Sequence, residues 1–183
     1  MIKETDILNE KDIKTLKKVS TEVTFPLSED DLYLINNMIM YLRLSQDEEY
    51  AKKYNLRPGM GLAAIQLGVS KRFFVISYKK DDGTFEEYKV INPKIVSHSE
   101  EQIYVEEGEG CLSVTRYVEG IVPRHARITI EYYDYEGNKK TMRAREDLAV
   151  AFQHEIDHLD GILFVDKIDP KNPYKDRNKM REI

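Results

Sequence analysis

Apolar positions recur at helical spacing in two places along the chain, with strand-like runs between them. Leu32, Ile35, Ile39 and Leu42 share one face of a 3.6-residue repeat, and Ser28-Glu-Asp-Asp31 supplies a cap and first-turn acids before them. This pattern predicts an amphipathic helix from the Ser28 cap to about Ser45. Asp47 can cap a short second helix through Tyr54, stopped by Asn55-Leu-Arg-Pro-Gly59. Arg72–Tyr78 is β-rich, Lys80-Asp-Asp-Gly83 is a hairpin turn, and Glu87–Ile91 resumes the strand pattern. Further strands are expected at Lys94–Ser97, Ile103–Val105, Tyr117–Val122, Ile128–Tyr135 and Lys139–Arg145, with Tyr135-Glu-Gly-Asn138 joining the last two. At Arg145 the period changes again. Glu146 and Asp147, then Leu148, Phe152, Ile156 and Leu159, then Gly161, mark a second long helix over Arg145–Leu159. From Asp169 onward, Pro170 and Pro173 predict an extended arm lying on the surface.

Helix, antiparallel strands and helix in that order predict an α+β fold in which antiparallel strands pack around a buried helix. With no linker and no internal repeat, residues 1–183 read as one domain. The 41% hydrophobic and 33% charged residues are those of an ordinary soluble protein. Runs such as Arg72–Ser77 fall far short of the ~20 residues that cross a bilayer, so no membrane span is expected. The first residues show neither a signal-peptide h-region nor an arginine-rich transit pattern, and a cytoplasmic location is expected. A net charge of −5 argues against a general nucleic-acid binder.

The second long helix carries His154-Glu155-Ile156-Asp157-His158, an H-E-x-x-H motif. Residues four apart differ by about 40° around a helix and rise ~6 Å along it, so both imidazoles can converge on one ion. Glu155 falls within the same arc, beside the ion without having to ligate it, which is the place of a general base. The bland alternative is two surface histidines spaced four apart by chance. Two histidines need a third ligand. The metzincin position for it holds Phe164, which cannot bind metal, and the one downstream glutamate, Glu182, lies in the tail with no helical pattern around it. Cys111, the sole cysteine, in Glu107-Gly-Glu-Gly-Cys111, is the better candidate: as thiolate it binds borderline divalent ions, and Cys-His-His leaves a fourth position open, as catalytic sites do.

With these segments in hand the chain resembles the peptide deformylase family. Gly59-Met-Gly-Leu-Ala-Ala-Ile-Gln66, Glu109-Gly-Cys-Leu-Ser113 and Gln153-His-Glu-Ile-Asp-His-Leu-Asp-Gly161 match its three motifs in order. Glu22-Val-Thr-Phe-Pro26 and Val122-Pro-Arg-His-Ala-Arg127 look like the longer form found in Gram-positive bacteria. Two departures stand out: Ile65, where Pro or Thr is common, and Asn9–Leu16, where the family usually has Gly and Pro. The resemblance implies removal of the N-formyl group from the initiator methionine of nascent polypeptides. Fe²⁺ is the usual native metal, with Zn²⁺, Ni²⁺ or Co²⁺ as substitutes. Carried over by motif position, Cys111, His154 and His158 bind the metal and Glu155 moves protons. Gln66 and the Leu112 N–H would stabilise the formyl oxygen, and backbone at Met60, Gly61 and Gly110 would align the peptide. Val150 and Ala151, one turn before His154, would line a methionine pocket. The basic tail, with Lys171, Lys175, Arg177, Lys179 and Arg181, would then be positioned to meet ribosomal RNA. Another metal-dependent amidase or peptidase, or a catalytically silent metal- or thiol-sensing relative, are the competing readings; an intact Gln66 and Glu155 speak against silence.

Overall fold

The computed structural model describes every residue from Met1 to Ile183, and the first long helices begin at their caps. Ser28 Oγ accepts the N–H of Asp31 at 3.2 Å to open α2, Glu29–Ser45. Asp47 Oδ1 accepts from Glu49 and Tyr50 to open α3, Glu48–Tyr54, which ends at Asn55 in left-handed backbone. A single turn, α1 at Ile13–Leu16, precedes them, and α4 spans Glu146–Leu159. No helix is long and apolar enough to cross a membrane.

The strands are β1 Gly61–Ala63, β2 Phe73–Lys79, β3 Phe85–His98, β4 Gln102–Tyr104, β5 Arg124–His125, β6 Arg127–Tyr133, β7 Lys139–Arg145 and β8 Arg181–Glu182. Five form one antiparallel sheet in the order β1-β2-β3-β6-β7; the others form a small sheet, β5-β4-β8, with β8 parallel to β4. The apolar run of β2 has a physical reason, because both faces of this strand are covered. Phe74 and Ile76 pack with Ala149, Phe152, Ile156 and Leu159 of α4, while Phe73 and Val75 pack with Ile35, Met38, Ile39 and Leu42 of α2. The α+β architecture is therefore a sheet between two helices. α4 is the more deeply seated, with Phe152 fully buried and edge-on to Phe74 and Tyr88.

Three expectations need correction. Glu87–Ile91 and Lys94–Ser97 are one strand, β3, in which a bulge accommodates Pro93 and places Asn92 at positive φ; the Asn92 amide bonds Val23 N–H and C=O at 2.8 Å each. Tyr117–Val122 forms no strand. Gly120 sits at φ 130, Pro123 follows, and the Ile121 N–H goes to Pro173 O at 3.0 Å, so the segment packs Val118 and Val122 against Phe164 and Ile168 as a loop. The tail is more than an extended arm: after turns it enters the small sheet as β8.

Gly161 closes α4 at φ 72, where an added Cβ would overlap the Lys17 carbonyl. Gln46, just past α2, donates to Gly59 O at 2.9 Å and Ser77 O at 2.6 Å and accepts from Lys79 N at 2.9 Å. Its amide ties the turn before β1 to α2 and β2.

Phe152→Ala removes a ring buried against both aromatic neighbours, and should lower unfolding free energy by about 3–5 kcal/mol in a chemical denaturation experiment; a loss under about 1 kcal/mol would mean the α4–sheet contact is not the main core.

Candidate metal centre and cleft

α4 presents its buried apolar face to the sheet and its His154 and His158 to the other side, with ring centroids 5.0 Å apart. Cys111 reaches them from the loop after β4, where it forms an isolated bridge with Val114 and its Sγ lies 3.2 Å from His158 Nε2. One donor atom from each of Cys111, His154 and His158 lies within 4.8 Å of the others. A thiol and two imidazoles so close, and largely buried, form the donor set of a borderline divalent ion, and three ligands leave one position for a small molecule. The residues present therefore fit a metal. Phe164, at the metzincin ligand position, instead lies nearly parallel to the His154 ring at 6.1 Å, and Glu182 is bound to Tyr104 and Arg177.

Charged side chains behind the donors hold them in place. His154 Nδ1 donates to Glu109 Oε2 at 2.8 Å, which leaves Nε2 for an ion. Glu109 also accepts two bonds from Arg124, at 2.7 and 2.9 Å, and Arg124 Nη1 donates to Asp157 Oδ2 at 2.5 Å. Arg124 is only 1% exposed. Burial alone would push Glu109 upward, but the Arg124 and His154 hydrogen bonds outweigh it and hold this carboxyl at about 2. It is an anion at neutral pH. Burial pushes Glu155 the other way, up to about 7, against the opposing charges of His154 and Arg124. Its Oε2 is buried without a hydrogen-bond partner. A bound cation beside it would favour the carboxylate.

A cleft of about 510 Å³ opens over this centre, lined by Met60, Gly61, Gln66, Gly110, Cys111, Leu112, Val150, Ala151, His154 and Glu155 among others. The residues singled out in the sequence thus converge on one cavity, and His158 lies beneath it, 1% exposed. Gln66 Oε1 accepts from Ala63 N at 2.9 Å, while Nε2 faces Ser113 Oγ at 3.1 Å and Cys111 Sγ at 3.7 Å. The Leu112 N–H has no acceptor in the chain, while its carbonyl is held by Arg57, itself paired with Glu4. Gly61 packs so closely on Glu155 that an added Cβ would overlap its carboxylate. β1 is the edge strand of the large sheet, so its outer side is open to a further strand.

Glu109, Arg124, Asp157 and Arg57 were not legible as site residues. Glu109 and Asp157 do stand inside the motifs around Cys111 and His158, an acid within two positions of a ligand in each case, and this was the available signal.

The polypeptide deformylase family model matches residues 5–174. A curated peptide deformylase from Shouchella clausii is 48% identical over 176 residues, covering 96% of both chains. Peptide deformylase 2 of Geobacillus stearothermophilus is 47% identical, covering 96% of this chain and 95% of the relative. The crystal structure of peptide deformylase from Thermotoga maritima superposes with a TM-score of 0.69 at 34% identity, over 90% of this chain and 97% of that one.

Cys111→Ser should weaken cobalt binding at least about tenfold and abolish the sulfur-to-cobalt charge-transfer absorption. Unchanged affinity and spectrum would remove Cys111 from the ligand set.

Proposed function

The chain belongs to the polypeptide deformylase family, and from that membership and the geometry of the cleft we infer how its residues share the work. The reaction is the metal-dependent hydrolysis of the N-formyl group from the amino-terminal methionine of newly made polypeptides. The single observation that carries the division of roles is the convergence of Cys111, His154, His158, Glu155 and Gln66 on one cleft.

Cys111, His154 and His158 would hold one divalent ion, natively Fe²⁺, with Zn²⁺, Ni²⁺ or Co²⁺ able to replace it. Bound there, the ion supplies Lewis-acid activation of water and of the formyl carbonyl. Glu155, buried and with one carboxylate oxygen unpartnered, accepts the proton of the attacking water and returns it to the leaving amine nitrogen. The Leu112 N–H and Gln66 Nε2 donate to the formyl oxygen as negative charge develops on it. Backbone at Met60, Gly61 and Gly110 aligns the peptide as a strand added beside the open edge of β1. Val150 and Ala151 of α4, joined by Val105, face the methionine side chain. Residues 1–183 act as one catalytic domain, working in the cytoplasm where formylated nascent chains arise.

Contact between the tail and the ribosome is a separate proposal with little free charge behind it. Lys175 pairs with Asp169, Arg177 with Glu182, Lys179 with Asp176 and Arg181 with Glu101 and Glu146, leaving Lys171 as the tail's one basic side chain without an acidic partner. Salt-sensitive co-sedimentation with ribosomes would support it, and its absence at low salt would end it.

Anaerobically prepared, iron-loaded protein should release formate from formyl-Met-Ala-Ser, and no release would overturn the reading. Glu155→Ala should retain the metal while kcat falls by roughly 10²–10⁴; metal loss in that variant would contradict the role given to Glu155. Gly61→Ala must displace the Glu155 carboxylate, so kcat should fall at least about tenfold with metal content unchanged. Full activity in Gly61→Ala would show that the close packing on Glu155 is not needed.

A further inference from the structure

One apolar wall of the cleft is shared by two separate elements: Val105, just after β4, and Val150 with Ala151 on α4. β4 is three residues long, and the residues from Arg181 to Ile183 brace it against α4. Ile183 N–H donates to Tyr104 O at 3.0 Å, and Ile183 O accepts from Glu106 N–H at 3.1 Å. The backbone bonds on either side of Val105 therefore both end on Ile183. The Ile183 side chain packs on the buried cluster of Ile103, Ala126 and Val150, and Val105 packs on the same cluster. One residue thus holds the backbone around Val105 and packs on the cluster that contains Val150.

Arg181 makes the second tie. Its Nε donates to Glu101, just before β4, at 2.9 Å, and its two Nη atoms donate to the Glu146 carboxylate at 2.9 and 2.8 Å. Glu146 is the first residue of α4 and holds left-handed backbone at φ 54, which a non-glycine residue keeps only when its surroundings over-determine it. Between these ties Glu182 accepts from the Tyr104 hydroxyl at 2.6 Å.

We propose that Ile183 is a positioning residue that sets the spacing between Val105 and Val150, and with it the selectivity for a methionine side chain, with Arg181 fixing the brace to the start of α4. The inference rests on the cleft being the substrate site. Ile183 does not line the cleft, so its effect falls on substrates whose side chain fills the wall and spares those without one. A wall that relaxes outward loses contact area with methionine, weakening binding while the metal centre and Glu155 stay in place.

The test compares hydrolysis of formyl-Met-Ala-Ser and formyl-Gly-Ala-Ser by the iron-loaded unmodified chain and its Ile183→Ala, Ile183→Leu and Arg181→Ala variants. For Ile183→Ala the KM for the methionine peptide should rise about 5- to 10-fold with kcat within about twofold, while kcat/KM for the glycine peptide stays within about twofold. Ile183→Leu should restore most of the loss, and Arg181→Ala should shift KM in the same direction by about twofold. An equal loss on both peptides, or no change on the methionine peptide, would overturn the role of Ile183. If the unmodified chain itself made no distinction between the two peptides, the assignment of the cleft would fall, and this inference with it.

Discussion

The site depends on one buried guanidinium. Arg124 joins Glu109, two residues before Cys111, to Asp157, one residue before His158, and so clamps the cysteine loop to the histidine helix. An ion pair buried this deeply is a poor source of net stability, because desolvating the charges offsets most of their attraction. Removing Arg124 would nevertheless leave the deeply buried Glu109 carboxylate with His154 as its one charged partner, and Asp157 with Lys167 alone. The arrangement therefore acts as a constraint: the loop and the helix can be buried together only in a register that satisfies all three groups, and that register brings the thiol to the imidazoles.

Both faces of α4 follow from the same placement. Ala149, Phe152, Ile156 and Leu159 fill the space beneath β2, which fixes the helix rotation, and rotation alone then decides where His154, Glu155 and His158 point. Gly61 on the edge strand leaves room for the Glu155 carboxylate where any side chain would intrude. Burial pushes both carboxyls of the centre upward, and hydrogen bonding separates them. Glu109, fully hydrogen-bonded, stays ionised as an orienting partner of His154, whereas Glu155, with an unpartnered oxygen and a pKa lifted toward neutrality, is suited to accept and return a proton.

Much of this was legible because it is local. The caps at Ser28 and Asp47, the spacing of His154 and His158, the unbroken apolar run of β2 and the glycine after α4 each follow from a few adjacent residues. What could not be seen depends on distant partners. Tyr117–Val122 has strand-like residues but finds no neighbouring edge, since its Ile121 N–H is taken by Pro173. Lys94–Ser97 and Glu87–Ile91 look separate because Pro93 stands between them, and only the Asn92 side chain, bonded to Val23, shows how one strand passes through that break. Arg124 reads as one more charge in Val122–Arg127, since nothing local says that it is buried. The tail's basic residues likewise look free until their acids, some 35 and 80 positions away for Arg181, are brought beside them.

The central claim is a catalytic centre with one thiolate and two imidazoles as its protein ligands and one position left for a reacting molecule. X-ray absorption at the metal edge of the anaerobically loaded protein tests it most directly. The account predicts one sulfur scatterer, two imidazole nitrogens and one further light atom from solvent; absence of the sulfur, or a shell filled by a fourth protein ligand, would contradict it.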